Sequence, residues 1–386
     1  MQLVFVSNYF NHHQKPLSDA LYSLTDGKYN FISTTPMRDE RKKLGYSIPN
    51  ANYNFISYLS DEIRKQAIEM INSADVVIFG SADYSYIKQR IKSGKLTFKY
   101  GERALRNGIE PAKYIPRLIK WNSQYPHSAP VYLLASSAYA AWDYSRLGMF
   151  KNKVYKWAYF TEIKKYDNLD KMFINKRKNS ILWVARLIEL KHPEHIIETV
   201  RRLKAENYDI SLKIIGNGIM EGRLRRLVNN LNLSSSIEFC GAMSPEDVRI
   251  NMEQSEIFAF TSNKLEGWGA VVNEAMNSGC AVVGSHEVGS VPFLIKDGLN
   301  GLIYQSGNVD MLFEKIRYLL DNPSMRESMG RQAYASMTNL WNADIAAKRF
   351  VSICKKISEG SKFPEMYEDG PCSKAEIITE QWYKQG

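Results

Sequence analysis

The sequence predicts an α/β protein built from two Rossmann-like, doubly wound parallel sheets. Three observations support this. The chain has 386 residues with 44% hydrophobic content, which suits two domains. Short β-rich runs alternate with polar, helix-like stretches, and this alternation restarts near residue 180. The segment Lys164–Lys178 is lysine-rich and poor in apolar residues, as is typical of an exposed linker, so we place the domain boundary near residue 170.

The individual elements follow from hydrophobic pattern. We expect an N-terminal domain over 1–170, a C-terminal domain over 171–340, and a helical tail over 341–386 that crosses back to the N-terminal domain. The predicted strands are Leu3–Val6, Asn30–Ser33, Asp75–Gly80 and Val131–Ala135 in the first half, then Ser180–Ala185, Ser211–Gly216, Ser236–Cys240, Glu256–Phe260, Cys280–Gly284 and Leu302–Tyr304 in the second.

The charge is distributed unevenly. Residues 1–180 carry 28 Lys and Arg against 15 Asp and Glu, whereas the remainder carries 23 against 26. Such a basic half indicates an anionic partner: a membrane leaflet, a phosphate-bearing substrate or a nucleic acid. Within 88–120, ten basic residues face only Glu102 and Glu110 and alternate with aromatic and aliphatic residues. This mixture favours an anionic membrane surface over a solvated helical face or a nucleic-acid site.

Other features of the sequence restrict the cellular setting. No run of about 18 predominantly apolar residues predicts a membrane span. The opening apolar run lacks a basic leader, so we interpret it as a buried strand. The four cysteines lie far apart without a CxxC pair, which favours neither a disulfide framework nor a zinc site. We therefore expect a cytoplasmic protein, peripheral at the inner face of the cell membrane if it docks there.

Polar residues follow two of the predicted strands in the second half, where ligands of open parallel sheets bind. Arg186 and Lys191 come after the first, and their cations could clamp a diphosphate; a solvated pair is the alternative. Gly216 and Gly218 follow the next strand, where glycines let a backbone approach a ligand, or simply form an ordinary turn. Glu221 occupies the third glycine position of GxGxxG, which weighs against a dinucleotide site.

Two glutamates in the second half have an informative spacing. Glu266 and Glu274 are separated by seven residues, so at 3.6 residues per turn they lie on nearly the same side of a helix and its approach. Both could contact one elongated ligand with hydroxyls at each end, such as a sugar nucleotide. The intervening glycines would bring amides to its diphosphate. The alternative is a pair of solvated glutamates, with Glu266 complementing the helix dipole.

In combination these motifs resemble the retaining glycosyltransferases of family 4, the glycosyl transferases group 1, whose two Rossmann-like lobes face each other across a cleft in the GT-B fold. The resemblance runs from Ile181 to Tyr304. Its motifs are strand-Arg-Leu-x3-Lys from Arg186 to Lys191, Ile-Gly-x-Gly at Ile215–Gly218, the glutamate pair at 266 and 274, and Asp297-Gly298-x2-Gly301.

The resemblance implies roles for residues at these positions. Arg186 and Lys191 would bind the donor diphosphate and, with Glu266, form the catalytic group. Glu274 would bind the ribose, and the turn that follows Glu266 would contact the transferred sugar. The donor-binding set it implies is Gly216, Gly218, Gly267, Trp268, Gly269, Ala270 and Glu274. Such enzymes retain the anomeric configuration and use neither a metal nor another cofactor; consistently, the chain contains no Asp-x-Asp pair.

The first half follows the family pattern less closely. The Gly-Gly turn after the first strand is replaced by the segment Asn8–Gln14. Asn11, His12 and His13 within it are our candidates for contacts with the acceptor or a phosphate, although histidines in such a place are often structural. No residue in this half can be assigned as a general base.

The function predicted from these features is transfer of a hexose-type sugar from a nucleoside diphosphate sugar to a sugar acceptor, lipid-linked, in building a bacterial-type surface polysaccharide. Two alternatives stay open. One is a nucleotide-sugar epimerase or hydrolase of the same fold. The other is a non-catalytic, basic RNA-binding protein, which lacks a recognised nucleic-acid motif, so no nucleic-acid partner is expected. A dehydrogenase fits less well because the glycine fingerprint is absent.

Overall fold

A computed structural model describes residues 1–39 and 48–384. The chain divides into two compact units. The first unit comprises Met1–Glu162 together with Trp341–Thr379. The second comprises Ile163–Leu340 together with the residues from Glu380 onward.

The first unit is built on one seven-stranded sheet whose paired strands are all parallel, in the order β3-β2-β1-β4-β5-β6-β7. All four strands predicted here are present. Three shorter or less apolar strands were missed. The strands are β1 Leu3–Ser7, β2 Tyr29–Ser33, β3 Asn54–Ile56, β4 Val76–Phe79, β5 Thr97–Gly101, β6 Val131–Ala135 and β7 Val154–Lys156.

Within the described residues, helices lie in the connections between successive strands other than β2 and β3, as parallel pairing requires. One of the helix starts has a side-chain cap: Ser60 accepts a hydrogen bond from the Ile63 amide at the start of Asp61–Ser73. The helices in this part of the chain are α1 Lys15–Leu24, α2 Asp61–Ser73, α3 Lys88–Lys92, α4 Pro111–Gln124 and α5 Ala140–Arg146.

The second unit carries a six-stranded parallel sheet in the order β10-β9-β8-β11-β12-β13, and all six predicted strands are confirmed. Its strands are β8 Arg177–Val184, β9 Ser211–Ile215, β10 Ile237–Gly241, β11 Ser255–Phe260, β12 Ala281–Ser285 and β13 Leu302–Tyr304. Its helices are α6 Leu169–Ile174, α7 Pro193–Ala205, α8 Glu221–Asn230, α9 Pro245–Glu253, α10 Val271–Asn277, α11 Val291–Leu294, α12 Val309–Asp321 and α13 Pro323–Asn339.

The core of the second unit lies between its sheet and the covering helices. Ile181, Ile214 and Val283 from the strands are fully or almost fully buried, and Ile197 and Ile316 from the helices pack in the same cluster. Strand β12 is buried along its whole length because a parallel sheet with helices on both faces is buried on both sides.

The segment Lys164–Lys178, predicted as an exposed linker, is more ordered than expected. It contains helix α6 and the first residues of β8. The Lys176 ammonium is buried and donates to the carbonyls of Ser255 at 2.8 Å and Ser278 at 2.9 Å. This lysine therefore helps to anchor the segment, which composition alone could not show.

The tail is less helical than predicted. Helix α14, Ala343–Ser358, belongs to the first unit, where Phe350 packs on Phe98 with ring centroids 4.8 Å apart. After Ser358, the only helical element in the described residues is the short 3-10 turn Trp382–Lys384. No helix within the described parts of the chain is both long and apolar enough to cross a membrane.

The strand orders locate the places where ligands bind in such sheets. In each unit the order reverses direction at the first strand, between β1 and β4 and between β8 and β11. Connections on opposite sides of such a switch point leave a crevice at the carboxyl ends of the two strands. The predicted site residues follow β1 in the first unit and β8, β9 and β11 in the second.

Candidate functional site

The loop after β8 presents the first two predicted residues. Arg186 follows the strand closely, and its side chain is exposed. Lys191 ends the 3-10 turn Glu189–Lys191 and is mostly buried. The loop is fixed from a neighbouring strand, because the Thr261 hydroxyl donates to the Lys191 carbonyl at 2.6 Å. Lys191 is therefore held in place, whereas Arg186 extends into solvent.

Gly216 and Gly218 pack two loops together. A Cβ on Gly216, whose φ is +132°, would lie 2.0 Å from the Ala185 carbonyl oxygen, and one on Gly218 would lie 2.3 Å from that of Leu187. The Leu187 amide also donates to the Asn217 carbonyl at 2.8 Å. These glycines allow the loops after β8 and β9 to touch. Their predicted contact with a donor stays a prediction.

Lys191 and Glu266 form an ion pair across the switch point. The Lys191 ammonium donates to the Glu266 carboxylate, and their side chains are only 12% and 15% exposed. The ammonium also lies 5.4 Å from the centre of the Phe260 ring. The sequence resemblance gave these two residues separate parts of a donor, but the structure joins them. Each neutralises the other's charge in a partly buried setting, where a lone charge is costly.

The turn after Glu266 presents backbone groups. Gly269 has φ +82°, and a Cβ there would lie 2.7 Å from a Phe260 ring carbon, so only glycine fits without a shift. The amides of Gly267, Gly269 and Ala270 donate to no protein acceptor within the described residues. Amides with this freedom are suited to an anion or to sugar oxygens.

Trp268 differs from the expectation that it contacts a donor. Its indole is 1% exposed and donates from Nε1 to the Asn273 Oδ1 atom at 2.8 Å. The side chain therefore fixes the turn onto helix α10 from inside. The Trp268 side chain is therefore not available to contact a ligand in this arrangement.

Glu274 lies on helix α10 in a partly buried position. Burial raises the pKa of its carboxyl to about 7, and the nearby Arg249 guanidinium limits the rise. Arg249 itself donates to Asn277 Oδ1 at 2.9 Å. Sequence reasoning missed Arg249 because it lies in the middle of α9 with no motif around it. A carboxylate kept in a poorly solvated site gains most from donors that a ligand supplies.

His192 links the loop after β8 to the loop after β11. The Asn263 Oδ1 atom accepts from the Leu265 amide at 3.0 Å, so the Asn263 side-chain nitrogen must donate to His192 Nε2, also at 3.0 Å. His192 Nδ1 then carries the proton and donates to Glu194 at 2.9 Å. Burial raises the pKa of Glu194, but this hydrogen bond, a backbone amide and the electrostatic effect of His192 and His195 together outweigh it, so the net shift is downward.

These hydrogen bonds bear on metal binding. Within residues 1–39 and 48–384, His192, Glu194 and His195 are the one group whose spacing could hold a metal, with ligand atoms within 4.8 Å of one another. Both ring nitrogens of His192 are already engaged, one as donor and one as acceptor. A cation here would have to break the His192–Glu194 bond, so we assign His192 a positioning role between two loops.

We expect His192→Gly to lower kcat about tenfold without destabilising the fold. His192 has φ 47° and ψ 52°, a left-handed conformation that glycine adopts without strain. The variant loses the link to Asn263, so the Lys191–Glu266 pair is positioned less well. Steady-state kinetics and thermal unfolding measure the two effects.

Asn232→Gly is the matched control for this prediction. Asn232 also has a left-handed backbone, with φ 55°, and is exposed on the same unit. Asn232→Gly should relieve backbone strain to the same extent as His192→Gly and leave kcat unchanged. A His192→Gly variant with the kcat of the wild type would show that the link does not position the ion pair.

The first unit has its own cavity at its switch point, with a volume of about 200 Å³. Asn11 and His13 line it, as predicted for contacts with an acceptor. His12 does not line it, but its ring lies 3.9 Å from that of His13, centre to centre. Sequence reasoning missed the residues that other strands contribute; they are Ser81, Tyr100, Trp157 and Tyr159. Their common signal is that they follow or end a strand.

The comparison with protein families addresses the second unit. Residues 165–336 match the family described as glycosyl transferases group 1. The second unit is a group 1 glycosyltransferase domain. The family prediction is thereby confirmed for this part of the chain, which contains both glutamates and the Arg186–Lys191 loop. Retention of configuration is not tested by this match and stays a prediction.

Curated relatives match part of the chain. A GDP-mannose-dependent monoacylated α-(1-6)-phosphatidylinositol monomannoside mannosyltransferase of Corynebacterium glutamicum is 29% identical over 44% of this chain and 45% of its own length. An N-acetylgalactosaminyltransferase of Campylobacter jejuni that acts on a diphospho-undecaprenol-linked sugar is 29% identical over 40% of each chain. The alignments thus span less than half the length of these relatives.

Solved structures extend the likeness in fold to both units. Anabaena Alr3699/HepE, crystallised with UDP, has a TM-score of 0.65 at 13% identity, covering 93% of this chain and 99% of that one. At this identity the likeness shows fold alone. It confirms the predicted fold class, two Rossmann-like domains with parallel sheets.

Proposed function

We propose that this protein transfers a sugar from a nucleoside diphosphate sugar to the hydroxyl of an acceptor. The observation that carries the proposal is the Lys191–Glu266 ion pair at the β8–β11 switch point, beside amides of Gly267, Gly269 and Ala270 that have no protein acceptor. A cation and free amides suit a diphosphate, and a carboxylate suits sugar hydroxyls. The group 1 family match supports the same chemistry.

The proposed reaction retains the anomeric configuration. The bond between the anomeric carbon and the diphosphate oxygen breaks, and the acceptor oxygen bonds to that carbon on the same face. The acceptor proton passes to a phosphate oxygen of the leaving diphosphate. Lys191 and Arg186 stabilise the negative charge that develops there. Glu266 and the amides after it orient the sugar, and Glu274 accepts hydrogen bonds from the ribose.

We propose a saccharide acceptor, lipid-linked, for the cavity of the first unit. Tyr100, Trp157 and Tyr159 offer aromatic faces there, while Asn8 and Ser81 offer hydrogen bonds. Aromatic faces with a few polar groups suit a sugar ring. The relatives named above act on a phosphatidylinositol mannoside and a diphospho-undecaprenol-linked sugar. These names support a lipid-linked acceptor, and we propose a cytoplasmic role in surface polysaccharide synthesis.

The donor can be found before the acceptor is known. We expect one nucleoside diphosphate, at about 100 times its Kd, to stabilise the protein by roughly 2.7 kcal/mol, which raises Tm by a few degrees. A thermal-shift screen of UDP, GDP, ADP and their sugars measures this. Because no metal is needed in the proposed mechanism, the shift and the subsequent transfer should be unchanged by EDTA.

The same screen separates the alternatives. Full turnover of the sugar donor without acceptor would favour an epimerase or hydrolase. The absence of any shift, together with tight binding of RNA, would contradict the proposal. Loss of transfer in EDTA with recovery on adding Mg²⁺ would contradict the metal-free mechanism while leaving the donor assignment in place.

A further inference from the structure

Helix α4, Pro111–Gln124, presents an apolar stripe to solvent. None of its residues is buried. Ile115 and Ile119 are four residues apart and therefore lie on one face, and they are 64% and 66% exposed. Lys113 and Lys120 are exposed beside this stripe. An amphipathic helix whose apolar side faces outward is built for contact with something other than water.

A basic cavity of about 140 Å³ adjoins the start of this helix. Its lining includes four cationic side chains and one carboxylate. The cations are Arg103, Arg106, Lys113 and Arg117, and the carboxylate is Glu110. We call these residues, with Ile115 and Ile119, the α4 surface.

The loop beneath the α4 surface is held rigidly. Arg103 is buried and donates to both oxygens of Asp143, at 3.2 and 3.1 Å, and the Leu105 amide donates to the same carboxylate at 2.9 Å. A bidentate, buried pair of this kind fixes loop geometry. The cavity is therefore formed before any ligand arrives.

The charges around the cavity leave a positive excess. Arg106 pairs with Glu102 and Lys113 pairs with Glu110, both near the surface. Arg117 forms no ion pair within the described residues, although it lies near enough to Glu110 to interact with its charge, and Lys120 adds another exposed cation near Asp83. Surface pairs contribute little and exchange readily, so an incoming phosphate could compete with the carboxylates.

The wider segment 88–120, predicted as a basic surface, does not place all of its cations on one exposed surface. Arg90 is buried and donates to the carbonyls of Ile71 and Ala74, each at 2.7 Å. Lys99 donates to the Gly80 carbonyl at 2.8 Å. These two cations stabilise carbonyl groups inside the unit. Lys88, Lys92 and Lys95 are exposed as well, but only the part from Arg106 onward combines cations with exposed isoleucines.

We propose that the α4 surface docks on an anionic lipid bilayer. A lipid phosphate enters the cavity beside Arg117 and Lys113, while Ile115 and Ile119 insert at the boundary between headgroups and acyl chains. Charge complementarity selects the lipid: an apolar stripe beside unbalanced cations fits anionic headgroups better than neutral ones. Docking would bring the first unit to a lipid-linked acceptor. Its usefulness for catalysis rests on the proposed function, whereas binding to the bilayer does not depend on that function.

Vesicle flotation with the whole protein, without donor, tests the proposal. We expect binding to phosphatidylcholine vesicles with about 30% phosphatidylglycerol at moderate salt, and little binding to phosphatidylcholine alone. Ile115→Ser/Ile119→Ser and Arg117→Gln should each weaken the partition coefficient by about fivefold or more. Arg117→Gln should have a larger effect than Lys120→Gln, because Lys120 lies outside the cavity.

Matched controls come from elsewhere on the same unit. Leu59 is 66% exposed and Lys65 is an exposed cation, so Leu59→Ser and Lys65→Gln repeat the chemistry away from the α4 surface. Both should bind like the wild type. Thermal unfolding checks that every variant is folded.

Three outcomes would overturn the proposal: no binding of the wild type to anionic vesicles, equal losses in the controls and the α4 variants, or binding of a short RNA that displaces the vesicles and is lost in Arg117→Gln. Since no donor is present, failure here is distinguishable from failure of sugar transfer. Docking with no transfer would instead count against the proposed function.

Discussion

Lys191→Ala is expected to lower kcat for sugar transfer about 100-fold or more, in line with the loss of one preorganised charge that stabilises a leaving group. The Lys191 ammonium is mostly buried and held from its backbone by Thr261. Its position is therefore set before the donor binds. Among the described residues, no other lysine forms an ion pair with Glu266. KM for the donor should rise less than kcat falls, because the charge on the diphosphate is greatest as the bond breaks.

The variant also leaves Glu266 without its partner, which by itself should cost about 1–3 kcal/mol of stability. A second variant separates this cost from catalysis. Lys191→Ala/Glu266→Gln removes the lone carboxylate, so its stability should return toward that of the wild type while kcat stays low. Lys315→Ala, which breaks a more exposed ion pair with Asp297 at 3.5 Å, should leave kcat unchanged. Near-normal turnover in Lys191→Ala would remove Lys191 from the catalytic group.

The sheets were predictable because most of their strands are rich in apolar residues and are separated by helices. Strands such as β6 and β13 match their predicted bounds. The missed strands β3 and β7 have three residues each, and β5 carries Lys99 within a basic segment. Strand β13 also has three residues, but all of them are apolar, whereas β3 contains Asn54 and β7 contains Lys156. A charge that carbonyls stabilise inside the fold looks in the sequence like one that faces water.

The sequence predicts where the candidate-site residues lie better than it predicts which of them contact each other. Strand ends indicate where Lys191, Glu266 and Glu274 lie, since the carboxyl ends of parallel strands meet at one edge. The pairing of Lys191 with Glu266 depends on β8 and β11 being neighbours, and strand order is not encoded locally. The same holds for His192: its link to Asn263 joins residues 71 positions apart. Gly216 and Gly218 were expected at a ligand, yet their positions are explained by two loops in contact.

Glu274→Gln should stabilise the protein and abolish most donor binding. The pKa of Glu274 in the folded state is about 7, above the ordinary value of 4.5 that it has when unfolded. Between these values the folded protein holds an extra proton, so the free energy of unfolding falls as pH rises through this range. Glutamine carries no charge, so the variant should be more stable than the wild type by about 3 kcal/mol at pH 8 and by less than about 1 kcal/mol at pH 5.

Donor binding should show the opposite dependence on pH. If the ribose hydroxyls bind the ionised carboxylate, the wild type must lose a proton to bind. Its affinity for the nucleoside diphosphate should then be about tenfold weaker at pH 6 than at pH 8. Titration of the phosphate itself affects both proteins, so the difference between wild type and Glu274→Gln isolates Glu274.

Glu314→Gln is the control, since Glu314 is exposed on helix α12 and pairs with Arg317 at 2.5 Å. Its stability should change by no more than about 0.5 kcal/mol at either pH. Calorimetric titration of the donor and thermal unfolding at both pH values give the two readouts. A stabilised variant with unchanged donor affinity would mean that Glu274 is a buried acid without a ligand. A destabilised variant with lost affinity would mean that the carboxylate holds the fold together. Only a variant that is more stable and that also loses donor affinity would show that the Glu274 carboxylate destabilises the free protein and binds a hydroxyl of the donor.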